Sequence, residues 1–214
     1  MSSAILIMGE SGSGKTTAMR TLKPEETYYI DCDGKGLSWK GWREQYNAER
    51  KNYGKTDDQN QVLKVMRGVD SKRPDIHNIV IDTINSIMIA DERRRINEKG
   101  YDKWADLAWS VYDICVLASQ LREDLNVIVL AHTQTDVDDT TGERFTRILT
   151  NGKKLNKIGL EKYFTTVLLS KATGDGFVFE TRANKSTAKT PLGAFEQTEV
   201  PNDMQAVLDV LRDY

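Results

Sequence analysis

Residues 4–16 decide the fold, and they read AILIMGESGSGKT. Five apolar residues predict a buried strand, and a glycine-rich loop of the pattern G-x-x-x-x-G-K-[ST] follows it directly. Such a loop turns consecutive backbone N–H groups inward around phosphates, and its glycines permit an approach that side chains would block. The stretch therefore predicts a nucleotide site composed of Gly9, Glu10, Ser11, Gly12, Ser13, Gly14, Lys15, Thr16 and Thr17.

The same loop predicts ATP and Mg²⁺ as its ligands. Lys15 would bring a positive charge to the β- and γ-phosphates, and the hydroxyl of Thr16 would bind the metal ion. A second metal-site residue is expected at Asp82, which closes the apolar strand 79–81 and would hold a magnesium-bound water. We therefore assign catalytic roles to Lys15 and Asp82, and metal binding to Thr16 and Asp82.

Two acids after the second predicted strand are candidates for orienting the attacking water. Asp31 and Asp33 lie where that strand ends, at the edge of the sheet where ligands bind. Many motor ATPases carry their catalytic base directly after the residue equivalent to Asp82, but here that residue is Thr83, which is not an acid. We therefore favour Asp33 as the base and keep Asp31 as the alternative. His132 follows another apolar strand and is a candidate sensor of the γ-phosphate.

The whole chain shows alternating strand and helix patterns. Strands are expected at 4–8, 27–30, 78–81, 127–131, 164–169 and 177–181, and helices at 15–22, 59–67, 82–97, 103–124 and 202–213. This alternation predicts an α/β fold with a mostly parallel sheet and helices on both faces. With 214 residues, the chain suits one domain covering residues 1–214.

Composition restricts the partners and the compartment. The net charge is −2, so nucleic-acid binding would need a local basic patch. No apolar run approaches the roughly 20 residues that span a bilayer, so we expect no membrane association. Cys32 and Cys115 lack metal-ligand or redox-pair spacing. Unpaired cysteines suit a reducing compartment, and we expect a cytoplasmic protein.

The order of these features resembles the core of RecA-type recombinases, over roughly residues 4–196. It is most similar to the compact RecA-like ATPases that phages encode for recombination and single-strand annealing. The segment Ala183-Asn184-Lys185, with Pro191 after it, resembles the Lys-Asn-Lys segment of RecA proteins and the Lys-Asn-Arg segment of hexameric helicases. The resemblance implies a RecA-like P-loop NTPase core. It also implies a homo-oligomer, ring or filament, with ATP at subunit interfaces and Lys185 acting on the neighbour's ATP.

The connection 134–157 is the candidate DNA-binding segment. Cations can follow a phosphate backbone and an aromatic ring can stack on a base, although Asp136, Asp138 and Asp139 dilute the positive charge. In the resembling family this connection carries the DNA-binding loop. We therefore predict contacts to single-stranded DNA from Arg144, Phe145, Arg147, Lys153, Lys154 and Lys157.

These features predict a DNA-stimulated ATPase of phage-type homologous recombination or annealing, with a single-strand binding protein as a possible further partner. Two other classes share the phosphate loop. A small-molecule kinase would use the connection 134–157 as a basic lid, and an ATP-driven assembly or regulatory module would act on a protein partner. The sequence leaves open whether the protein exchanges strands or only anneals them.

Overall fold

A nine-stranded sheet runs through the part of the protein that the computed structural model describes, which is residues 1–98, 102–137, 140–150 and 159–214. The strands in chain order are β1 Ser3–Gly9, β2 Thr27–Asp31, β3 Tyr53–Lys55, β4 Asn78–Asp82, β5 Asn126–Val137, β6 Arg144–Ile148, β7 Thr166–Thr173, β8 Gly176–Glu180 and β9 Glu199–Pro201.

Helices connect the first five strands. Asp58 and Asp203 cap two of the helices by accepting a hydrogen bond from the backbone N–H three residues later, which satisfies a free donor of the first turn. Within the described ranges, no helix is both long and apolar enough to cross a membrane. The α-helices are α1 Lys15–Ala18, α2 Trp42–Gln45, α3 Gln59–Lys72, α4 Ile84–Arg94, α5 Asp102–Leu117 and α6 Met204–Leu211.

The strand order is β3-β2-β4-β5-β1-β7-β8-β9, and β6 forms an antiparallel pair with the far half of β5. The first six strands of this order are mutually parallel; at one edge β8 is antiparallel to β7, and β9 is antiparallel to β8. This arrangement confirms the predicted α/β fold with a mostly parallel sheet. Because the parallel strands end at one edge, the residues that follow β1, β2 and β4 meet there, beside His132 of β5.

Apolar side chains fill both faces of the sheet, since alternate residues of a strand point to opposite sides. Leu6 and Val129 face the side covered by α3, α4 and α5. Ile7 and Leu130 face the other side, which α1 and α6 cover. All four side chains are fully buried, so the central strands β1 and β5 are held rigidly from both sides.

Several predicted boundaries were wrong. The helix expected at 103–124 ends at Leu117, and the strand expected at 127–131 continues to Val137. The connection 134–157 therefore begins as a β-hairpin rather than as an irregular loop. Residues 151–158 of that connection lie outside the described residues. Strands β3 and β9 were not predicted, because each has only three residues and carries little periodicity.

Candidate nucleotide-binding site

The phosphate loop connects β1 to α1 at the carboxyl edge of the sheet. Gly12 and Gly14 adopt φ angles of 78° and 93°, a backbone region that favours glycine. At Gly9 the reason is space, since a Cβ there would lie 2.4 Å from Ser13 Oγ and 2.6 Å from the carbonyl oxygen of Ser170. The glycines predicted to shape the loop are therefore required by its conformation and packing.

Lys15 lies inside the curve of this loop. Its ammonium group donates hydrogen bonds to the carbonyl oxygens of Gly9 at 2.8 Å and Glu10 at 2.7 Å, and the residue is only 5% exposed. Burial lowers the pKa of Lys15 to about 8, although the negative charge of Asp82 opposes this shift. Phosphate oxygens would supply negative charge that this buried cation lacks, so the cradle suits a polyphosphate.

Thr16 and Asp82 come together beside the loop. The Thr16 hydroxyl donates to Asp82 Oδ2 at 2.8 Å, and the buried Tyr29 hydroxyl donates to the same oxygen at 2.6 Å. Burial raises the pKa of Asp82, while these two hydrogen bonds lower it. The other carboxylate oxygen, Oδ1, is buried and has no hydrogen-bond partner among the described residues. A hydroxyl beside an unpartnered buried carboxylate oxygen fits Mg²⁺ and its bound waters.

Asp33 lies next to this pair of residues. Its backbone N–H donates to the carbonyl oxygen of Asp82, and its Oδ1 accepts from the Thr83 hydroxyl at 2.9 Å and the Ser86 hydroxyl at 2.5 Å. Its Oδ2 forms an ion pair with Lys35. Burial favours a higher pKa for Asp33, but the hydrogen bonds from Lys35, Ser86 and Thr83 lower it to about 2. The carboxylate is therefore ionised and lies against Thr83 and Ser86, which follow β4.

Asp31, the alternative acid, has a different set of partners. It is 2% exposed, and its two oxygens accept from the backbone N–H groups of Gly34 at 2.8 Å and Gly36 at 2.9 Å. The Tyr53 hydroxyl also donates to it, at 2.6 Å. With these contacts Asp31 holds the loop after β2 in shape, whereas Asp33 lies against Asp82.

His132 lies in the middle of β5, where the pairing with β1 ends, and it is in register with Gly9 at the end of β1. Its backbone N–H donates to Asn85 Oδ1 at 2.7 Å, and its carbonyl oxygen accepts from the N–H of Leu149 at 2.7 Å. Burial, and then the positive charge of Lys15, lowers the pKa of His132. The neutral imidazole is thus placed beside the phosphate loop, and its backbone is joined to the segment that follows β6.

Lys185 lies in the exposed segment after β8. Its φ angle is 57°, and its carbonyl oxygen accepts a hydrogen bond from the N–H of Thr146 in β6 at 2.8 Å. The N–H of Thr187 donates back to the carbonyl oxygen of Thr146 at 3.1 Å. The residue predicted to reach a neighbouring subunit is therefore attached to the hairpin predicted to bind DNA.

The predicted DNA contacts have unequal environments. Arg144 and Phe145 are exposed on β6, with Phe145 at 45%. Arg147 is part-buried and its guanidinium is paired with Asp136 across the hairpin at 2.6 Å. Lys153, Lys154 and Lys157 lie outside the described residues.

Sequence reasoning missed three residues of the site: Tyr29, Lys35 and Asn85. Tyr29 and Asn85 act through tertiary contacts with Asp82 and His132, and no local pattern marks them. Lys35 did have a signal, because it stands between two glycines directly after the predicted acids. Thr17, predicted to bind the nucleotide, follows Thr16 in α1, and its hydroxyl contacts that of Ser38 at 3.0 Å.

A phosphate loop on a central parallel strand, with a strand-ending carboxylate at its Thr16, defines a P-loop NTPase. The chain belongs to the AAA domain family AAA_24, whose model matches residues 2–191. ATPases of this type use a nucleotide, usually with Mg²⁺, and often oligomerise. Comparison with curated proteins gave no match.

Proposed function

We propose that this protein hydrolyses ATP with Mg²⁺, and that hydrolysis is coupled to binding of single-stranded DNA within a homo-oligomer. The observation that best supports hydrolysis is the unpartnered Oδ1 of Asp82, beside the Thr16 hydroxyl. A buried carboxylate oxygen without a partner is costly, and a magnesium-bound water would satisfy it.

The reaction joins the oxygen of a water molecule to the γ-phosphorus and breaks the bond from that phosphorus to the bridging oxygen. The products are ADP, inorganic phosphate and one proton. Lys15 binds the β- and γ-phosphates, and Mg²⁺ would supply charge neutralisation there. Asp33 orients the water by accepting a hydrogen bond. Asp33 is ionised in the free protein, and the proton leaves with phosphate or solvent rather than remaining on Asp33.

The exposed side chain of Lys185 is proposed to complete the site of a neighbouring subunit. Its position supports this role, since it is exposed and lies on a segment held to β6 by two backbone hydrogen bonds. A cation at a subunit interface would stabilise the charge that develops on the transferred phosphoryl group.

Coupling to DNA is supported by the continuity of β5. This strand passes from the sheet through His132 and enters the hairpin with β6, where Arg144 and Phe145 are exposed. DNA bound on the hairpin and a γ-phosphate beside His132 would therefore both contact β5. The resemblance to phage recombination and annealing ATPases supports a role in those processes, in the cytoplasm and with a single-strand binding protein as a further partner.

ATP turnover measured alone, with single-stranded DNA and with nucleoside monophosphates tests this proposal against its alternatives. We expect Mg²⁺-dependent turnover that DNA raises and monophosphates do not, and Lys15→Ala should abolish it. Turnover that persists in folded Lys15→Ala protein would contradict the assigned site. Phosphorylation of a monophosphate would instead identify a kinase with the hairpin as its lid.

A further inference from the structure

Besides Lys15, a second cation, Lys35, lies near the nucleotide site, on a loop that internal hydrogen bonds hold in shape. The buried carboxylate of Asp31 binds the N–H groups of both glycines that flank Lys35. Gly34 and Gly36 have φ angles of 70° and 82°, which allow the tight turn that the carboxylate stabilises. The loop therefore presents Lys35 in a defined position.

This loop lies against the end of β4, the strand that ends in Asp82. The N–H groups of Cys32 and Asp33 both donate to the carbonyl oxygen of Asp82, at 2.6 and 3.3 Å. The Asp33 carboxylate also accepts hydrogen bonds from Thr83 and Ser86, at the start of α4. These contacts fix the base of the loop beside Asp82, and so place Lys35 at the same carboxyl edge of the sheet as the phosphate loop.

Lys35 is close enough to interact with the charges of the nucleotide site. Its positive charge acts on Lys15, on Asp82 and on the imidazole of His132. The Lys35 side chain is 54% exposed, and its only charged partner within the described residues is Asp33, which is 12% exposed. A half-exposed ion pair contributes little stability, so a more highly charged anion can displace it.

We propose that Lys35 binds the γ-phosphate of ATP in its own subunit and exchanges Asp33 for a phosphate oxygen when ATP binds. The exchange frees Asp33 Oδ2 to accept a hydrogen bond from the attacking water. No covalent bond changes in this step, because only the partner of the ammonium group is replaced. The proposal rests on the proposed ATP hydrolysis and adds the group that distinguishes ATP from ADP.

This arrangement gives the site two cations from one subunit, Lys15 and Lys35, in addition to any cation from a neighbour. ADP lacks the γ-phosphate, so the pair between Lys35 and Asp33 would re-form after phosphate release. The loop would thus differ between the ATP-bound and ADP-bound states without requiring an oligomer.

Three variants test the proposal. Lys35→Met removes the charge but keeps an apolar stem, Lys35→Arg keeps a positive charge, and Lys40→Ala is a matched control at an exposed lysine in the same segment. Affinities for ADP and for a non-hydrolysable ATP analogue are measured together with kcat. Lys35→Met should weaken analogue binding about tenfold, as expected for one lost charged hydrogen bond, and leave ADP binding within about twofold.

The same variant should lower kcat roughly 10²-fold, the lower end for loss of one transition-state donor. Lys35→Arg should recover most of this activity, and Lys40→Ala should match the wild type. Unchanged analogue affinity and kcat in Lys35→Met protein would overturn the proposal. So would an equal loss of affinity for ADP and the analogue, because it would show no specificity for the γ-phosphate.

Mixed oligomers test whether Lys35 acts within its own subunit. Lys35→Met and Lys15→Ala damage the same site, so mixing the two proteins should restore no turnover, and recovery would overturn the intrasubunit assignment. A wild-type protein that binds both nucleotides without hydrolysing ATP would refute the proposed function. The comparison of ADP with the analogue would still decide the role of Lys35.

Discussion

At the scale of single residues, the hydroxyl of Thr16 should account for the dependence on Mg²⁺. This hydroxyl lies 2.8 Å from Asp82 Oδ2, where it would bind the metal ion. Thr16→Val keeps the shape but removes the ligand, so the apparent affinity for Mg²⁺ should fall by at least the roughly 10–100-fold that loss of an outer-shell partner costs. Turnover is measured as a function of Mg²⁺ concentration.

Thr16→Ser is the matched control for that experiment. It retains the hydroxyl and loses only a methyl group, so its Mg²⁺ dependence should remain close to that of the wild type. A similar loss in both variants would indicate that packing at this position, rather than metal binding, controls turnover.

Asp33 and Asp31 should be separable by the kind of defect that each substitution causes. Asp33→Asn should slow hydrolysis by ~10²–10⁴-fold, because it removes the carboxylate that orients the attacking water, with little change in ATP affinity or melting temperature. Asp31→Asn weakens the hydrogen bonds that shape a buried loop, so it should reduce the free energy of unfolding by about 1.5–3 kcal/mol.

Thermal unfolding and single-turnover hydrolysis distinguish the two acids. Should Asp31→Asn leave stability intact and cause the larger loss of hydrolysis, Asp31 is the acid that orients water. The structural assignments of the two residues would then be reversed.

At the scale of elements, the sequence was sufficient to predict a strand where that strand is buried and regular. β1, β4 and the first half of β5 are continuous apolar runs that end in polar residues, and the predicted nucleotide and metal residues follow them. The hairpin of β5 and β6 was not predicted, because its two strands are polar and are defined by pairing with each other. Tyr29 was missed for a similar reason, since its contact with Asp82 joins residues 53 positions apart.

The hairpin should show which of its cations bind phosphate. Arg144 is exposed, so Arg144→Ala should make the slope of log affinity against log salt shallower by about 0.7, the value for one phosphate of single-stranded DNA. Arg147 is already neutralised by Asp136, so Arg147→Ala should change the slope less. Binding is measured by fluorescence anisotropy at several salt concentrations.

Phe145 and the lysines beyond the hairpin complete this test. Phe145→Ala should weaken binding without changing the slope, because stacking releases no counterions. Replacing Lys153 and Lys154 together should make the slope shallower by roughly 1.4. If all of these variants bind DNA with the affinity and slope of the wild type, the hairpin is a solvated surface and the DNA proposal loses its support.

At the scale of the whole molecule, the ATP site should be shared between subunits. Lys185→Ala should lower turnover in the assembled state while nucleotide affinity stays nearly unchanged, because the exposed Lys185 side chain is proposed to act on the neighbour's ATP. Mixing this variant with Lys15→Ala protein should restore part of the activity. Each variant keeps the half of the interface that the other lacks.

Lys64→Ala, at an exposed lysine on α3, is the control for loss of a surface charge. Lack of recovery at every mixing ratio, with mixed assembly confirmed by mass spectrometry, would mean that Lys185 does not act on a neighbouring subunit.

The length of β5 limits how DNA bound at the hairpin would affect ATP bound at the phosphate loop. From His132 to Val137 the strand advances five residues, or roughly 17 Å at the rise of an extended chain. Electrostatic fields in water at physiological salt fade over about 8 Å, so charges bound at the hairpin tip act only weakly on the phosphates through solvent. If DNA binding is coupled to hydrolysis as we propose, the influence of the bound charges must travel as a displacement of β5 itself. The five backbone pairs from Thr133–Ile148 to Val137–Arg144 join β5 to β6, so we expect the two strands to move together.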